Sequence, residues 1–598
     1  MSNSSRNLKL MTFAQKTACY STADAKTIKP SIQFLFSLIF ISISSFGQHP
    51  KSADIDKFFL NLSNAGAFSG SITLVRNDTV IIDKGYGVAD RKTGRLVQAQ
   101  TLFDIASVSK NFTAAAILIL ESEGKLRTDD KISVFFSNVP EDKRNITIEQ
   151  LANQTSGLPA DHVLINHLYD AKGKFKAIEE IFSMQLAFAP GTSFLYSNAG
   201  YILLAAIVEH VSRMEFKEFM KKVFSKVPLN NTGFIGDERW KSDQSAHAYW
   251  NQYDEFLRGD HGVAVSQWNV LGGGGMYSST SDLVKWFEAL WNGNMVPKAS
   301  LSKMFTLNPN KYSYGWSFIV RDNEFTVIFH NGSADAYETA LRFYPKRKLW
   351  AAITSTTKVD DASAQHDEYL NTAIGLLLNR EVVMPPNTFN QSQILLREGT
   401  YHGKGSADKW QLWRDGAGAL WISPVNAAAF RWMAFLLDSD STKLSNAEGF
   451  VNQLISSAQS INCKVGYKDI DALQILPADF KDAWCSWMNR FGEFKESLII
   501  GSVPLRYSSD RKFVFANIKF EKVSMPVSFL VENDQLVEMW SSADVKLPFS
   551  YPLAATNTNE VSLINPFSMG KLISCQYDKA RPEIRMKTNN SLKILIPD

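Results

Sequence analysis

The alternation of hydrophobic and polar residues changes character several times along this chain of 598 residues. Residues 70–90 alternate on either side of Asn77-Asp78, which predicts a β-hairpin closed by a short turn. Helical periodicity dominates from there to about residue 378, interrupted over residues 312–355 by a return to alternation that predicts consecutive strands. Strands at both ends with helices between them predict an α/β (α+β) domain whose antiparallel sheet joins its first and last parts.

The predicted helices share apolar residues at spacings of three and four positions. They are residues 53–62, 108–123, 148–152, 177–188, 199–211 and 280–291.

The pattern changes again after a stretch rich in Pro, Asn and Gln, which predicts a linker over residues 381–393. Beyond it, alternating segments flank turn signals at Asp415-Gly416 and Asn533-Asp534. We therefore expect a separate β-rich domain over residues 394–598, interrupted by one helical patch near residues 478–491.

The N-terminus has the layout of a signal peptide. Residues 32–46 form an uncharged apolar run after Lys29, too short for an ordinary membrane span, and cleavage after Gly47 fits the small residues there. This predicts a leader over residues 1–47, a following domain over residues 48–380, and export to the periplasm or out of the cell. An uncleaved leader is the alternative, and it would be the expected route of membrane contact.

Composition narrows the classes of partner. The chain has 63 basic and 60 acidic side chains, a net charge of +3, with no dense Lys/Arg cluster, which argues against a nucleic-acid partner and favours a small-molecule or peptide substrate. After the leader, Cys463, Cys485 and Cys575 show neither metal-ligand spacing nor a disulfide framework. One bridge is compatible with these cysteines, but their pairing and the oligomeric state stay open. We expect no metal and no cofactor.

Ser107 and Lys110 stand three residues apart where an apolar, Ala-rich helical pattern begins. Residues at this spacing share a helix face, so the lysine can reach the serine hydroxyl and, if its charged form is disfavoured, take the proton. A serine at a helix start is more often a simple cap. The same Ser-x-x-Lys spacing also recurs elsewhere, as at Ser300 and Lys303, so the pair needs support from its context.

Further motifs follow in a fixed order. They are FDIASVSKNFTAAAIL (103–118), ITIEQLANQTSGLP (146–159), PGTSFLYSNAGYILLAAIVE (190–209), PLNNTGF (228–234), GGGGMYSSTSDLVKWF (272–287) and HNGSADAYETALRFYP (330–345). Together they resemble the serine β-lactamase and penicillin-binding-protein superfamily, nearest its class C and esterase-like branch, over about residues 60–380. The resemblance implies an antiparallel sheet flanked by helices, a helical subdomain, and a cleft between the two.

The resemblance also implies catalytic roles. Ser107 would attack a carbonyl and form an acyl-enzyme, while Lys110 and Tyr196 would share general acid/base work. The implied enzyme is a serine hydrolase of the β-lactamase, D-Ala-D-Ala carboxypeptidase or esterase type.

Four residues are implied to bind substrate. Asn198 would hydrogen-bond substrate and help to hold Lys110, and the backbone N–H groups of Ser107 and Ser333 would form the oxyanion hole. His330 and Gly332 occupy the third motif, which directly precedes Ser333.

Two positions depart from the family pattern. His330 replaces a lysine, and a neutral imidazole holds a substrate carboxylate less firmly than an ammonium. We therefore rank a D-amino-acid peptide or small ester above a β-lactam, although His330 could instead be a strand-end residue satisfied by backbone groups. Gln154 stands where related sequences often have histidine, at a loop expected to be structural.

Several other features have more than one interpretation. Residues 272–275 lack the Gly-Lys-Ser/Thr of a phosphate-binding loop and predict a turn. Asp161 and His162 could form a triad with Ser107, but Lys110 makes that unnecessary. Three C-terminal tryptophans could line a barrel interior or a sugar-stacking surface, and we expect packing in the interior: Trp413, Trp421 and Trp432.

A different class of function also remains open. A non-catalytic sensor or binding protein could keep the same fold and lose turnover, and it would show slow or no deacylation. The β-rich region, with GTYHGKG at residues 399–405, resembles the lipocalin-like barrels that often accompany these hydrolases.

Overall fold

The computed structural model describes the chain between residues 51 and 597, with gaps. The residues left out within this span are 160–172, 235–236, 238–239, 241–243, 251–253, 257–267, 322–323, 335–336, 359–364, 383, 386–395, 397, 415–419, 426–428, 430–444, 460–483, 486, 490, 505–510, 523, 533–534, 542–550, 558–559, 564–572, 579–582 and 588–591. The predicted leader, the Asp161/His162 pair, Trp432 and the two C-terminal turns lie outside the described residues.

The N-terminal two thirds of the chain alternate helices and strands. The helices are α1 Ser52–Asn64, α2 Ser109–Ser122, α3 Ile148–Ala152, α4 Lys174–Ser183, α5 Asn198–Ser212, α6 Phe216–Phe224, α7 Thr280–Trp291, α8 Lys298–Met304 and α9 Gln365–Leu377, with 3-10 turns at Ala106–Val108, Ile132–Val134 and Pro345–Arg347. The strands are β1 Gly70–Arg76, β2 Thr79–Tyr86, β3 Val88–Asp90, β4 Arg95–Leu96, β5 Phe103–Asp104, β6 Thr232–Phe234, β7 Ala248–Trp250, β8 Asp254–Phe256, β9 Met276–Ser278, β10 Tyr312–Ser313, β11 Trp316–Arg321, β12 Glu324–Ala334, β13 Tyr337–Tyr344, β14 Leu349–Ser355 and β15 Thr357–Lys358.

The main sheet has seven strands in the order β10-β11-β12-β13-β14-β1-β2. The β1–β14 pairing, with Gly70 opposite Ser355, joins the first and last parts of the domain and confirms the predicted α+β arrangement. The predicted hairpin is also confirmed, because Asn77 and Asp78 both have positive φ, at 47° and 61°, as a tight hairpin turn between twisted strands requires.

Helices cover both faces of this sheet. On one face α1 and α9 pack through apolar side chains such as Phe58, Phe59 and Tyr369. On the other face lies a larger core that includes residues of α2, α5 and α7. Because α5 is apolar on nearly all sides, it is buried between its neighbours and ends at Arg213, whose φ of 59° is left-handed.

One predicted helix was too long. The helix predicted over residues 177–188 ends at Ser183, and the residues after it form a loop whose Ala187 N–H donates to the carbonyl of Gly157 at 2.8 Å. That contact is between segments distant in sequence, so helical periodicity could not indicate it.

The C-terminal region is β-rich, as predicted, and is built from two kinds of sheet. A closed barrel contains β16 Gly399–Gly403, β17 Lys409–Arg414, β18 Leu420–Pro424, β23 Tyr551–Asn557, β24 Glu560–Leu563, β25 Ile573–Asp578, β26 Glu583–Lys587 and β27 Leu592–Pro597. A separate four-stranded sheet contains β19 Phe494–Pro504, β20 Arg511–Phe520, β21 Ser524–Glu532 and β22 Gln535–Ser541. The likeness of the C-terminal region to lipocalin-like barrels stays a prediction.

A helix in this region was missed. Helix α10, Ser445–Ala458, packs Val451, Leu454 and Ile455 into a core with the four-stranded sheet. Gly449 inside the segment weakened its helical signal. Described residues 484–485 and 487–489 are helical, in agreement with the predicted patch.

Other C-terminal predictions have outcomes in the described residues. Trp413 and Trp421 are buried and their rings stack at 5.6 Å, which confirms the packing prediction for these two residues. Cys485 is in a disulfide bond. Among the described residues, no helix is both long enough and apolar enough to cross a bilayer. The predicted domain boundaries stay predictions.

Candidate active site

Ser107 lies in the 3-10 turn Ala106–Val108, two residues before α2 begins at Ser109. Ala106 has a φ of 45°, a left-handed conformation that a residue with a side chain adopts only under constraint. The constraint comes partly from Asp104, whose Oδ1 accepts a hydrogen bond from the Ala106 N–H at 2.7 Å. This tight turn leaves Ser107 only partly buried at the start of a buried helix.

Lys110 is fully buried directly behind the serine. Its Nζ donates to Ser107 Oγ at 3.1 Å, to the carbonyl of Gly273 at 2.8 Å, and to Asn198 Oδ1. The same Nζ lies 4.9 Å from the centre of the Tyr196 ring. The structure therefore gathers the predicted nucleophile, lysine, tyrosine and asparagine around one ammonium group.

The Gly273 carbonyl was missed at the sequence level. It comes from the predicted turn of residues 272–275, so that turn carries a direct contact to Lys110 as well as changing the chain direction. No side-chain pattern indicates a backbone acceptor, so the sequence had no signal for it.

His330 lies on strand β12 of the main sheet, next to Tyr196. Its ring lies 6.3 Å from Tyr196 and 6.0 Å from Tyr312, and the two tyrosine rings meet edge-to-face at 6.0 Å. Tyr312, on β10, is buried and lies beside both predicted site residues. It was not among the predicted site residues, because only the folded sheet, in which β11 separates β10 from β12, brings Tyr312 near His330.

The imidazole of His330 is neutral over the physiological range. Burial first, and then the nearby charge of Lys110, lowers the pKa of His330 to about 3. Its Nδ1 lies 2.6 Å from the Asn331 carbonyl oxygen, which can only accept, so Nδ1 carries the proton. Nε2 is then a hydrogen-bond acceptor, and the site lacks the fixed ammonium that a lysine would supply here.

Gly332 brings strand β12 against the nucleophile turn. A Cβ at this position would lie 2.2 Å from the Ile105 carbonyl oxygen and 3.2 Å from the Ala106 Cβ, so only glycine allows the approach. Ser333 follows it as an exposed residue near the end of β12. The predicted contribution of its N–H to an oxyanion hole stays a prediction.

Gln154 organises the loop that carries Tyr196 and Asn198. Its Oε1 accepts from the Ser197 N–H at 2.9 Å, and its backbone carbonyl accepts from the Leu195 N–H at 3.0 Å. Gln154 thus fixes the segment on both sides of Tyr196, with its side chain on one side and its backbone carbonyl on the other, in line with the structural loop expected there.

Metal-binding side chains are not clustered in the described part of the chain. Among those residues, no group of three or more His, Cys, Asp or Glu side chains is arranged to hold an ion. The chemistry available at the site is that of a hydroxyl, an amine, a phenol and backbone dipoles.

Comparisons with known proteins agree with this arrangement. The family model described as Beta-lactamase matches residues 55–376, more than half of the chain. The fold and the family match therefore place this protein in the serine hydrolase superfamily. Within it, this chain belongs to the Beta-lactamase family.

Individual relatives are distant. Penicillin-binding protein 4* of Bacillus subtilis is 28% identical over 323 residues, which cover 50% of this chain and 70% of that protein. Protein flp of Staphylococcus aureus is also 28% identical over 323 residues, which cover 51% of this chain and 62% of flp, less than two thirds of its length. The octameric penicillin-binding protein homologue from Pyrococcus abyssi superposes with a TM-score of 0.50 at 18% identity, covering 91% of this chain and 99% of the other, a likeness of fold alone.

Proposed function

We propose that this protein is an exported hydrolase that cleaves an amide or ester bond through an acyl-enzyme on Ser107. The observation that carries the proposal is the 3.1 Å contact between Lys110 Nζ and Ser107 Oγ, made by a lysine that is fully buried. A buried amine at hydrogen-bond distance from a serine hydroxyl is the arrangement that nucleophile activation requires.

The contacts of Lys110 support the following proposed chemistry. Ser107 Oγ attacks the substrate carbonyl and its proton passes to the neutral form of Lys110, with Tyr196 relaying a proton to the leaving amine or alcohol. The carbonyl oxygen gains negative charge in the tetrahedral intermediate, and the N–H groups of Ser107 and Ser333 stabilise it. Water then attacks the ester on Ser107 by the reverse route. Preorganised donors of this kind contribute on the order of a hundredfold or more to rate.

The neutral His330 supports a choice of substrate class. An imidazole with its proton on Nδ1 offers a lone pair at Nε2, which repels a carboxylate and accepts from an N–H or O–H donor. We therefore favour an amide, a small ester or a D-amino-acid peptide with no free carboxylate beside the scissile bond over a β-lactam, whose carboxylate needs a cation. A panel of paired substrates with and without a free carboxylate would test this choice.

Two observations support export. The apolar run of residues 32–46 has signal-peptide layout, and Cys485 is in a disulfide bond, which persists in oxidising compartments. Fractionation of cells that produce the tagged protein, with N-terminal sequencing of the product, tests both the location and the cleavage after Gly47.

Intact-mass spectrometry tests the nucleophile. We expect one covalent adduct after exposure of the purified protein to a fluorophosphonate, and none on the Ser107→Ala variant. Parallel exposure to benzylpenicillin places the site nearer to penicillin-recognising enzymes or nearer to esterases and peptidases. No adduct from either reagent would contradict the nucleophile, and a stable adduct without product release would favour the binding-protein alternative.

A further inference from the structure

Strand β12 has a second functional face, opposite the one that carries His330 and Gly332. On that face a polar cluster with a buried centre joins β12, β13 and α9, and we name it the anchor network. Its members are Asn331, Ser333, Glu338, Arg342, His366 and Asp367. Side chains alternate across a strand, so residues 331 and 333 point away from the nucleophile while residues 330 and 332 point toward it.

One half of the anchor network is a closed triangle. Arg342 donates to Asp367 Oδ1 at 2.5 Å and to Asn331 Oδ1 at 2.6 Å, and Asn331 donates to Asp367 Oδ2 at 2.8 Å. Each member thus bonds both others, which fixes the residue immediately before Gly332. Burial alone would raise the pKa of Asp367, but Arg342 and the other neighbours outweigh it and hold that pKa below its ordinary value.

The other half fixes the residue immediately after Gly332. Ser333 Oγ donates to Glu338 Oε1 at 2.8 Å, directly across the β12–β13 pair. Glu338 is buried, and its second oxygen, Oε2, lies 3.2 Å from Nδ1 of the buried His366. His366 Nε2 in turn lies 3.8 Å from Asp367 Oδ1, so this half stands next to the triangle without a hydrogen bond between His366 and Asp367.

The bond between Ser333 and Glu338 lies at the end of strand β12, beside the nucleophile turn. Ser333 is exposed and stands next to the last residue of β12, Ala334, where a strand end opens most easily. Glu338 ties this end to the interior of the sheet. In front of the strand, the Ile105 carbonyl leaves no room for Gly332 to move forward. The segment is thus held from both sides.

We propose that Glu338 is a positioning residue that sets the place of the Ser333 N–H in the oxyanion hole. The inference rests on the proposed acyl-enzyme function. Glu338 touches no reacting atom, and it acts by holding the Ser333 side chain so that the adjacent N–H points at the substrate oxygen. Displacement of a catalytic donor by about 1 Å costs on the order of a hundredfold in rate.

The first test compares Glu338→Ala with Glu338→Gln on p-nitrophenyl acetate. We expect the alanine variant to lose about a hundredfold in kcat with KM changed less than about threefold, because the donor matters most in the transition state. The glutamine variant keeps an acceptor oxygen and should stay within about fivefold of wild type. Equal losses in both variants, or a loss confined to KM, would overturn the proposal.

The chain offers a matched control in the same sheet. Thr73 Oγ1 donates to Asp83 Oδ1 at 2.8 Å, and these residues also stand directly opposite each other, on β1 and β2. Asp83→Ala therefore removes a cross-strand hydrogen bond of the same length and type away from the site, at a more exposed carboxylate than Glu338. It should keep kcat within about twofold of wild type, and a loss as large as that of Glu338→Ala would overturn the positioning role. If Glu338→Ala does not fold, Ser333→Ala replaces it, with an expected loss of about tenfold.

Hydrogen exchange separates this inference from the proposed function. Amides of residues 326–334 should exchange faster in Glu338→Ala than in wild type or Glu338→Gln, whether or not the protein hydrolyses anything. A wild type that neither turns over the ester nor labels at Ser107 would refute the proposed function alone. Unchanged exchange in Glu338→Ala would refute the anchoring itself.

Discussion

Two buried cations in the same domain, Lys110 and Arg342, are held in contrasting ways. The Lys110 ammonium donates to a hydroxyl, a side-chain amide and a backbone carbonyl, all of them neutral oxygen atoms. The Arg342 guanidinium donates to the carboxylate of Asp367 as well as to Asn331. One site thus surrounds its cation with dipoles and the other pairs it with a full negative charge.

The difference follows from what each cation has to do. A carboxylate beside a lysine stabilises its charged form and makes proton release harder, whereas neutral acceptors hold the amine in place and oppose deprotonation less. Arginine keeps its proton under all ordinary conditions, so a strong ion pair costs it no function. The contrast predicts that Lys110 takes part in proton transfer and that Arg342 stabilises the strand behind the site.

Substitution of arginine for Lys110 and of lysine for Arg342 should give the largest effects on activity and stability. Lys110→Arg retains the charge but cannot take a proton, so we expect kcat on an ester substrate to fall by about a thousandfold. Arg342→Lys also retains its charge, loses the two-pronged contact, and should lower the free energy of unfolding by about 1–3 kcal/mol. Steady-state kinetics and urea unfolding of both variants measure the two effects.

The fluorophosphonate adduct on Ser107 is the control for this pair. Arg342→Lys should still label, which shows an intact nucleophile. Activity of Lys110→Arg within tenfold of wild type would refute the proton-transfer role.

Removal of the countercharge should have the next largest effect. Asp367→Ala leaves Arg342 buried and unpaired, and because the Asp367 side chain is 21% exposed we expect a loss near the low end of the usual range, about 3 kcal/mol. Thermal and urea unfolding at pH 7 measure it. A loss below about 1 kcal/mol would show that the pair contributes little.

The dependence of the free energy of unfolding on pH in the acid range provides an independent check on Asp367. Its pKa is lowered in the folded state, so the stabilisation is fully present above the unfolded pKa of about 4 and is lost as pH falls through the lower folded pKa. Wild type should therefore lose more stability than Asp367→Ala below about pH 4. Parallel curves would contradict the assigned pKa direction.

His330 should show a dependence of the same sign, in a higher pH range. Its folded pKa of about 3 lies below the unfolded value of about 6.5, so the unfolded state alone binds a proton as pH falls from about 6.5. Wild type should lose about 2 kcal/mol between pH 6.5 and 5 from this residue. Urea unfolding measured at several pH values across that range gives the free energy of unfolding as a function of pH. This free energy should fall less steeply with decreasing pH in His330→Gln than in wild type. An identical pH dependence in both proteins would mean that His330 is not held neutral.

Particular elements of the molecule show which features the sequence could predict and which it could not. The hairpin at Asn77-Asp78 and the Ser107/Lys110 spacing are local patterns, and the structure places both as expected. The Gly273 carbonyl and Tyr312 reach the site only through contacts between segments far apart in sequence. Helix α10 was missed for a different reason, because a glycine inside it weakened a signal that was present.

Gln154 offers the smallest and most specific test of the family resemblance. Its φ of 60° favours Asn or His among residues with side chains, so Gln154→Asn removes the hydrogen bond to the Ser197 N–H with little backbone strain. The lost bond should cost about 1 kcal/mol and lower kcat by about fivefold through the loop that carries Tyr196. Steady-state kinetics and thermal unfolding measure these changes.

Gln154→His is the matched control, because an imidazole nitrogen can also accept from Ser197 and histidine is the residue that related sequences often carry here. It should stay within about twofold of wild type. If Gln154→Asn keeps full activity, the loop is held by its backbone contacts alone. If Gln154→His is the worse of the two, the glutamine is fitted to this chain in a way that the family pattern does not explain.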